Sequence, residues 1–196
     1  MTPQIMNSLQ KLLMQPDQLE QLKKLCRELL CVIGEDPDRN GLKGTPDRFA
    51  RSWLEFINYD PGNTETAFEC VQTDQMVVVK GMRVWSMCEH HLLPFWCDVS
   101  IGYVTGDKVL GLSKFARIAH QMAHRLQIQE GLVQNIADEI ERLTGSPDVA
   151  VMGEGQHLCM IMRGVATPAT MKTSVMRGVF RDADAARLEF LQMLAD

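Results

Sequence analysis

The chain has 196 residues, of which 45% are hydrophobic and 23% charged, a globular composition that excludes a disordered or fibrous protein. That length predicts one domain of ordinary size, or two very small ones, able to fold without a disulfide framework. Twenty Lys and Arg stand against 25 Asp and Glu, a formal net charge of −5, which argues against a nucleic-acid partner while leaving room for a local basic pocket that takes a phosphorylated small molecule.

Apolar residues at Leu19, Leu22, Leu25, Cys26, Leu29 and Leu30 recur at helical spacing and predict a helix over 18–32, stopped by Gly34. The turn-rich stretch 34–44 is a loop. A second helix over 45–57 opens with Thr45 as N-cap and Pro46 in its first turn, burying Phe49, Trp53, Phe56 and Ile57. From Met76 the period changes. Residues 76–85 are β-branched and apolar, and 95–104 alternate as Phe95, Cys97, Val99, Ile101 and Tyr103, so both read as strands. After the short apolar piece Val109-Leu110, Ser113 N-caps a helix through Leu126, and a further helix over 129–143 ends at Gly145. Residues 149–152, 158–165 and 173–179 read as strands, and a last helix starts at Asp182 or Asp184 and runs through Leu194. This order predicts an α+β fold: an antiparallel β-sheet with helices packed on one face, behind an N-terminal helical region. The expected division is a helical region over 1–60 and one compact unit over 61–196.

No run of about 18 apolar residues predicts a membrane span, and the first residues, MTPQIMNSLQKLLMQPDQ, have no long apolar signal core. The six cysteines are scattered, which is expected of reduced thiols in a cytoplasmic protein. Cys26, Cys31, Cys70 and Cys97 read as small buried hydrophobes.

The densest reactive cluster is Cys88-Glu89-His90-His91. Cys88 and His91 have C-x-x-H spacing, in which a tight turn can aim both side chains at one ion. A second patch is Gln156-His157-Leu158-Cys159, where His157 and Cys159 would share a face if both lay on a strand. Cys88, His91 and Cys159 would then form a three-ligand zinc site with its fourth position open to water, lowering that water's pKa to about 7. His90 and His157 would stand beside it for acid–base work. The competing reading is a chance pair of Cys/His patches in a β-rich core.

A basic group, Ser113, Lys114 and Arg117 at a helix start, joined by Arg163 four residues after Cys159, fits a phosphate ligand or ordinary solvated charge. Gln129-Glu130 opens a helix and suits either recognition of a base with N–H donors or simple stabilisation of the helix N-terminus. His120 and His124 lie one helical turn apart without the Glu of the H-E-x-x-H pattern and are read as structural.

Taken in order, GEDPDRNGLKGTPDRFARSW (34–53), SMCEHHLLPF (86–95), VLGLSKFARI (109–118), RLQIQE (125–130), GQHLCMIMRG (155–164) and the GVFR stretch at 178–181 give the chain a strong resemblance to the GTP cyclohydrolase I family. The resemblance implies the tunnelling fold and a toroidal homodecamer with active sites at subunit interfaces. It also implies Zn2+-dependent conversion of GTP and water to 7,8-dihydroneopterin triphosphate and formate. Carried onto this chain, it implies zinc on Cys88, His91 and Cys159, and proton transfer by His90 and His157, with His157 protonating the guanine imidazole. Glu130 and Gln129 would anchor the guanine. Ser113, Lys114, Arg117 and Arg163 would surround the ribose and triphosphate, Ser113 counting among the catalytic residues. The chain departs from the family pattern at Gly131 and Val133, where an Arg and a Thr are usual, and at Cys97, where Gly is commoner. The Gly131 change motivates an alternative, a zinc-dependent relative acting on another purine nucleotide or pterin. A non-catalytic nucleotide-binding scaffold is the third possibility.

Overall fold

The computed structural model describes residues 16–69 and 73–195 and divides the chain into two compact units at the Tyr59–Asp60 bond. The readings made for residues 1–15 and for Cys70 fall outside the described residues. In the first unit, helix α1 (Pro16–Val32) turns Cys26 and Leu30 inward, and helix α2 (Thr45–Ile57) buries Pro46 and Ala50. Pro46 sits in the first turn, where its missing N–H is not needed. The cap is Gly44 rather than Thr45, whose hydroxyl accepts a hydrogen bond from Arg48 Nη2 at 3.1 Å. Cys31, expected inside, is exposed on α1.

The second unit contains β1 (Ala67–Glu69), β2 (Met76–Cys88), β3 (Pro94–Val104), β4 (Lys108–Leu110), α3 (Leu112–Ala123), β5 (Leu126–Gln127), α4 (Gln129–Thr144), β6 (Val149–His157), α5 (Leu158–Ile161), β7 (Met171–Met176), α6 (Val179–Asp182) and α7 (Asp184–Ala195). β1 and β4 form a two-stranded ribbon. The main sheet has the order β5-β2-β3-β6-β7 and is antiparallel except where the short β5 joins β2 in parallel. This is the α+β architecture the element order predicts, although the helices do not all keep to one face of the sheet. No helix among the described residues is long and apolar enough to cross a membrane.

Period-two alternation decides the faces. Cys97, Val99, Ile101 and Tyr103 of β3 are fully buried beneath Phe115 and Ile118 of α3 and Leu132, Ile136 and Ile140 of α4. Burying one such side chain contributes about 1.5–3 kcal/mol, so this layer is the main source of stability. On the opposite face Val78, Val104, Ala150 and Met176 pack under Phe180 and Phe190. Thus α7 adds a second, smaller layer at the sheet end remote from Cys88. Gly102 makes room for it: a Cβ there would come within 2.7 Å of the Phe190 ring.

Two differences from the predicted elements shape the end of the sheet near Cys88. The helix expected over 113–126 stops at Ala123 and is capped by an extended Gly111, because Leu126 and Gln127 leave it to pair with Met87 and Cys88. The strand expected over 158–165 does not form. β6 instead continues to His157, opposite Phe95, and its partner β3 begins at Pro94. Proline has no N–H to extend the ladder, so Leu158 enters the helical turn α5, followed by a loop with positive φ at Gly164 and Ala166.

Gly155 is the tightest point of the β3–β6 pairing near this end. A Cβ there would overlap the Trp96 carbonyl oxygen and come within 2.9 Å of Gln129 Oε1. Gly155→Ala is expected to destabilise the protein by about 2–3 kcal/mol, measured as a lower denaturation midpoint at unchanged m-value. An unchanged midpoint would contradict the packing described.

Candidate metal centre and active site

β2 delivers Cys88 to the helix-facing side of the sheet, in line with the buried Val84. The chain then reverses. Cys88 N–H donates to Leu93 O and Leu92 N–H donates to Cys88 O, each at 2.9 Å, with Leu92 at φ 53. This turn brings His91 Nδ1 to 3.7 Å from Cys88 Sγ. From the far end of β6, α5 carries Cys159 Sγ to 3.9 Å from Cys88 Sγ. One donor atom from each of the three lies within 4.8 Å of the others, the only such group of His, Cys, Asp or Glu among the described residues.

These spacings fit a tetrahedral ion. Zn–S bonds of about 2.3 Å and Zn–N bonds of about 2.0–2.1 Å at the tetrahedral angle separate two sulfurs by about 3.8 Å and a sulfur from a nitrogen by about 3.6 Å. Two thiolates and an imidazole are also the borderline-soft donors zinc prefers, and three ligands leave one position open. Cys88 is buried, Cys159 half-buried and His91 exposed, so the cluster opens to solvent on one side. Burial pushes the Cys159 thiol up, as does the adjacent Cys88 sulfur, while Arg163 acts in the opposite direction. A dication binding both sulfurs as thiolates would displace their protons.

His157 ends β6. Its ring lies flat on Phe95, centroids 4.4 Å apart and planes within 5°, as their direct opposition in the ladder dictates. Burial lowers its pKa, while the Glu130 carboxylate acts in the opposite direction. Its Nε2 is 3.1 Å from Gln129 Oε1. Glu130 follows Gln129 on the first turn of α4 and is exposed, as are His90 and Arg163. His90 Nε2 stands 3.7 Å from Glu89 Oε1.

Three placements add to the reading from the sequence. Gln129, expected at the guanine, has no exposed surface, and its amide is engaged with the sheet and His157; its side chain lies behind the histidine. Ser113, Lys114 and Arg117 are not gathered with the cluster. They sit on the first turns of α3, where Lys114 Nζ donates to Asn63 O at 2.6 Å and Arg117 Nη1 donates to Pro61 O. The other end of α3 is the one near Cys88, because Gln127, paired with Cys88, donates to the Met122 and Ala123 carbonyls. At about 1.5 Å of rise per residue, the backbone of Ser113 lies roughly 15 Å, and that of Arg117 roughly 9 Å, along α3 from Ala123. Lastly, His157 and Cys159 come together through a strand end and a helical turn rather than along one strand.

His120 and His124 stay outside the cluster on α3, with His124 Nδ1 2.7 Å from His120 O and both rings' pKa values lowered by burial. Sequence reasoning missed Phe95 and Thr173 as neighbours of the site. The alternation of β3 marks Phe95 as inward-facing, but neither residue's partner is set by local sequence.

The family model for GTP cyclohydrolase I matches residues 22–195. A GTP cyclohydrolase 1 of Pseudomonas syringae pv. tomato is 46% identical over 176 residues, covering 86% of this chain and 92% of that relative. A GTP cyclohydrolase 1 of Deinococcus radiodurans is 44% identical over 183 residues, covering 90% of this chain and 84% of that one. Among solved structures, the apo archaeosine synthase QueF-Like overlaps 53% of this chain and 95% of its own at 16% identity, with a TM-score of 0.42. With the match running through both units, including the metal-donor turn and α5, the chain belongs to the GTP cyclohydrolase I family.

Proposed function

We propose that the chain is a zinc-dependent GTP cyclohydrolase I that opens the guanine imidazole ring of GTP, releases C8 as formate and yields 7,8-dihydroneopterin triphosphate. The observation that carries this reading is the spacing of the Cys88, His91 and Cys159 donor atoms, suited to zinc and set beside His157 in a chain of this family. When bound, zinc would supply Lewis acidity and activate a coordinated water at neutral pH. His157 holds the proton that makes the imidazole carbons electrophilic and takes protons back in later steps. His90, exposed beside the donor turn, serves the further proton transfers of ring opening and ribose rearrangement. Glu130, exposed at the N-terminus of α4, accepts hydrogen bonds from guanine N–H groups. Arg163, in the loop after α5, pairs with phosphate.

The triphosphate is unchanged by the reaction, so its cations act by positioning. Ser113, Lys114 and Arg117 stand toward the end of α3 away from Cys88, in keeping with a homo-oligomer, in the family's decameric form, whose neighbouring copies supply them. Two inactive variants, His157→Ala and Lys114→Ala/Arg117→Ala, are then expected to regain part of the activity when co-assembled, because some interfaces receive an intact half from each chain. A site confined to one chain gives no recovery.

Incubation of the purified protein with GTP is expected to give formate and, after oxidation, a fluorescent pterin in equal amounts. Gly131 leaves the start of α4 open, with only Ile128 Cγ1 at 4.0 Å from a Cβ placed there, so the same assay should include dGTP, GDP and a non-guanine nucleotide. Retention of Glu130 predicts that GTP is preferred. Faster turnover of another nucleotide would favour the relative with altered specificity, and GTP bound without formate release would favour the scaffold.

A further inference from the structure

The amide of Gln129 is fully buried, and its contacts fix which way round it sits. Three acceptors surround Nε2 and share its two hydrogens: Gly153 O at 3.2 Å, Met171 O at 3.1 Å and Thr173 Oγ1 at 3.1 Å. Two of these are backbone carbonyls, which only accept, so the group facing them must be the NH2. The amide oxygen is therefore the atom turned to His157 Nε2, 3.1 Å away. An oxygen of this kind also only accepts, so that ring nitrogen must carry hydrogen. The flat stack on Phe95 fixes the plane of the ring. The cradle is built for this arrangement: a Cβ on Gly155 would come within 2.9 Å of Gln129 Oε1, and one on Gly153 within 3.3 Å of Thr173 Oγ1.

We propose that Gln129 is a positioning residue that, held by Gly153, Met171 and Thr173, keeps His157 in its Nε2–H tautomer and leaves Nδ1 as the ring nitrogen that exchanges protons with the substrate. In donating, the imidazolium gives its Nδ1 proton to a substrate nitrogen and remains as the neutral Nε2–H form; in accepting, the Nδ1 lone pair takes the proton. Met171 and Thr173 lie on β7, the edge strand of the sheet. The acid–base atom is thus set by a strand that contributes nothing to the metal-donor cluster. The kinetic consequence rests on the proposed function; the tautomer does not.

The test uses full-length, zinc-loaded protein labelled with 15N-histidine, the His157 signals being identified by their loss in His157→Gln. Wild type at pH 8 is expected to show a protonated Nε2 and an unprotonated Nδ1. A majority Nδ1–H tautomer would overturn the proposal. Thr173→Val keeps the shape and removes one acceptor. Its kcat is expected to fall about 3- to 10-fold, the worth of one neutral hydrogen bond, with KM within about twofold, and Thr173→Ser is expected to restore it. Gln129→Leu should lower kcat by about 10- to 100-fold and mix the tautomers, in line with loss of an oriented acid–base group. If both substitutions leave kcat and tautomer unchanged, the proposal fails. An active wild type with Nδ1–H contradicts the tautomer assignment alone, whereas Nε2–H without formate release contradicts the proposed function alone.

Discussion

Cys159→Ala is expected to remove both the bound zinc and the release of formate. The substitution takes away one of the two sulfurs that stand 3.9 Å apart, leaving a two-donor site in which Cys88 and His91 alone must hold the ion. Losing Lewis-acid stabilisation worth several kcal/mol corresponds to at least about a 10³-fold fall in kcat/KM. The fold should survive, because Cys159 lies half-buried on a four-residue helical turn rather than in the central core. Metal analysis, thermal unfolding and turnover on one preparation give the expected pattern: little zinc, a melting temperature close to wild type, no detectable formate. Full activity with one zinc per chain would remove Cys159 from the ligand set.

His157→Ala should separate acid–base work from metal binding. Zinc content stays at the wild-type level, because no ligand is lost, while kcat falls by about 10²- to 10⁴-fold, the usual contribution of a positioned general acid–base group. KM should change far less, since binding of the guanine and triphosphate is assigned to other side chains. Truncation also uncovers Phe95, now fully buried beneath the imidazole, so His157→Gln, which keeps more of that cover, should be measured beside it. A variant that keeps kcat and loses zinc would exchange the roles assigned to His157 and Cys159.

What could be read from the sequence follows the range of the interactions involved. The C-x-x-H turn was legible because Cys88 and His91 are three residues apart and the turn between them is local. The alternation of β3 was legible because burial on one face imposes period two on residues 95–104. The run Leu158-Cys159-Met160-Ile161 was misread as a strand because a short apolar run carries no period that separates strand from helix. What ends β6 is Pro94, more than sixty residues earlier in the chain. The surroundings of Gln129 were illegible for a similar reason. As a polar residue at a helix start it reads as exposed, and its burial relies on the missing side chain of Gly155 across the core. Ser113, Lys114 and Arg117 were legible as a basic group at a helix start, whereas their distance from the metal donors follows from the length and direction of α3.

The central claim is a zinc ion held by three side chains with one position left for water. X-ray absorption at the zinc edge on the purified, active protein tests it most directly, combined with metal content per chain. The account predicts one zinc per chain with two sulfurs at about 2.3 Å and two nitrogen or oxygen neighbours at about 2.0–2.1 Å, only one of them from His91. A shell filled by a fourth protein ligand, or formate release undiminished in protein free of metal, would contradict it.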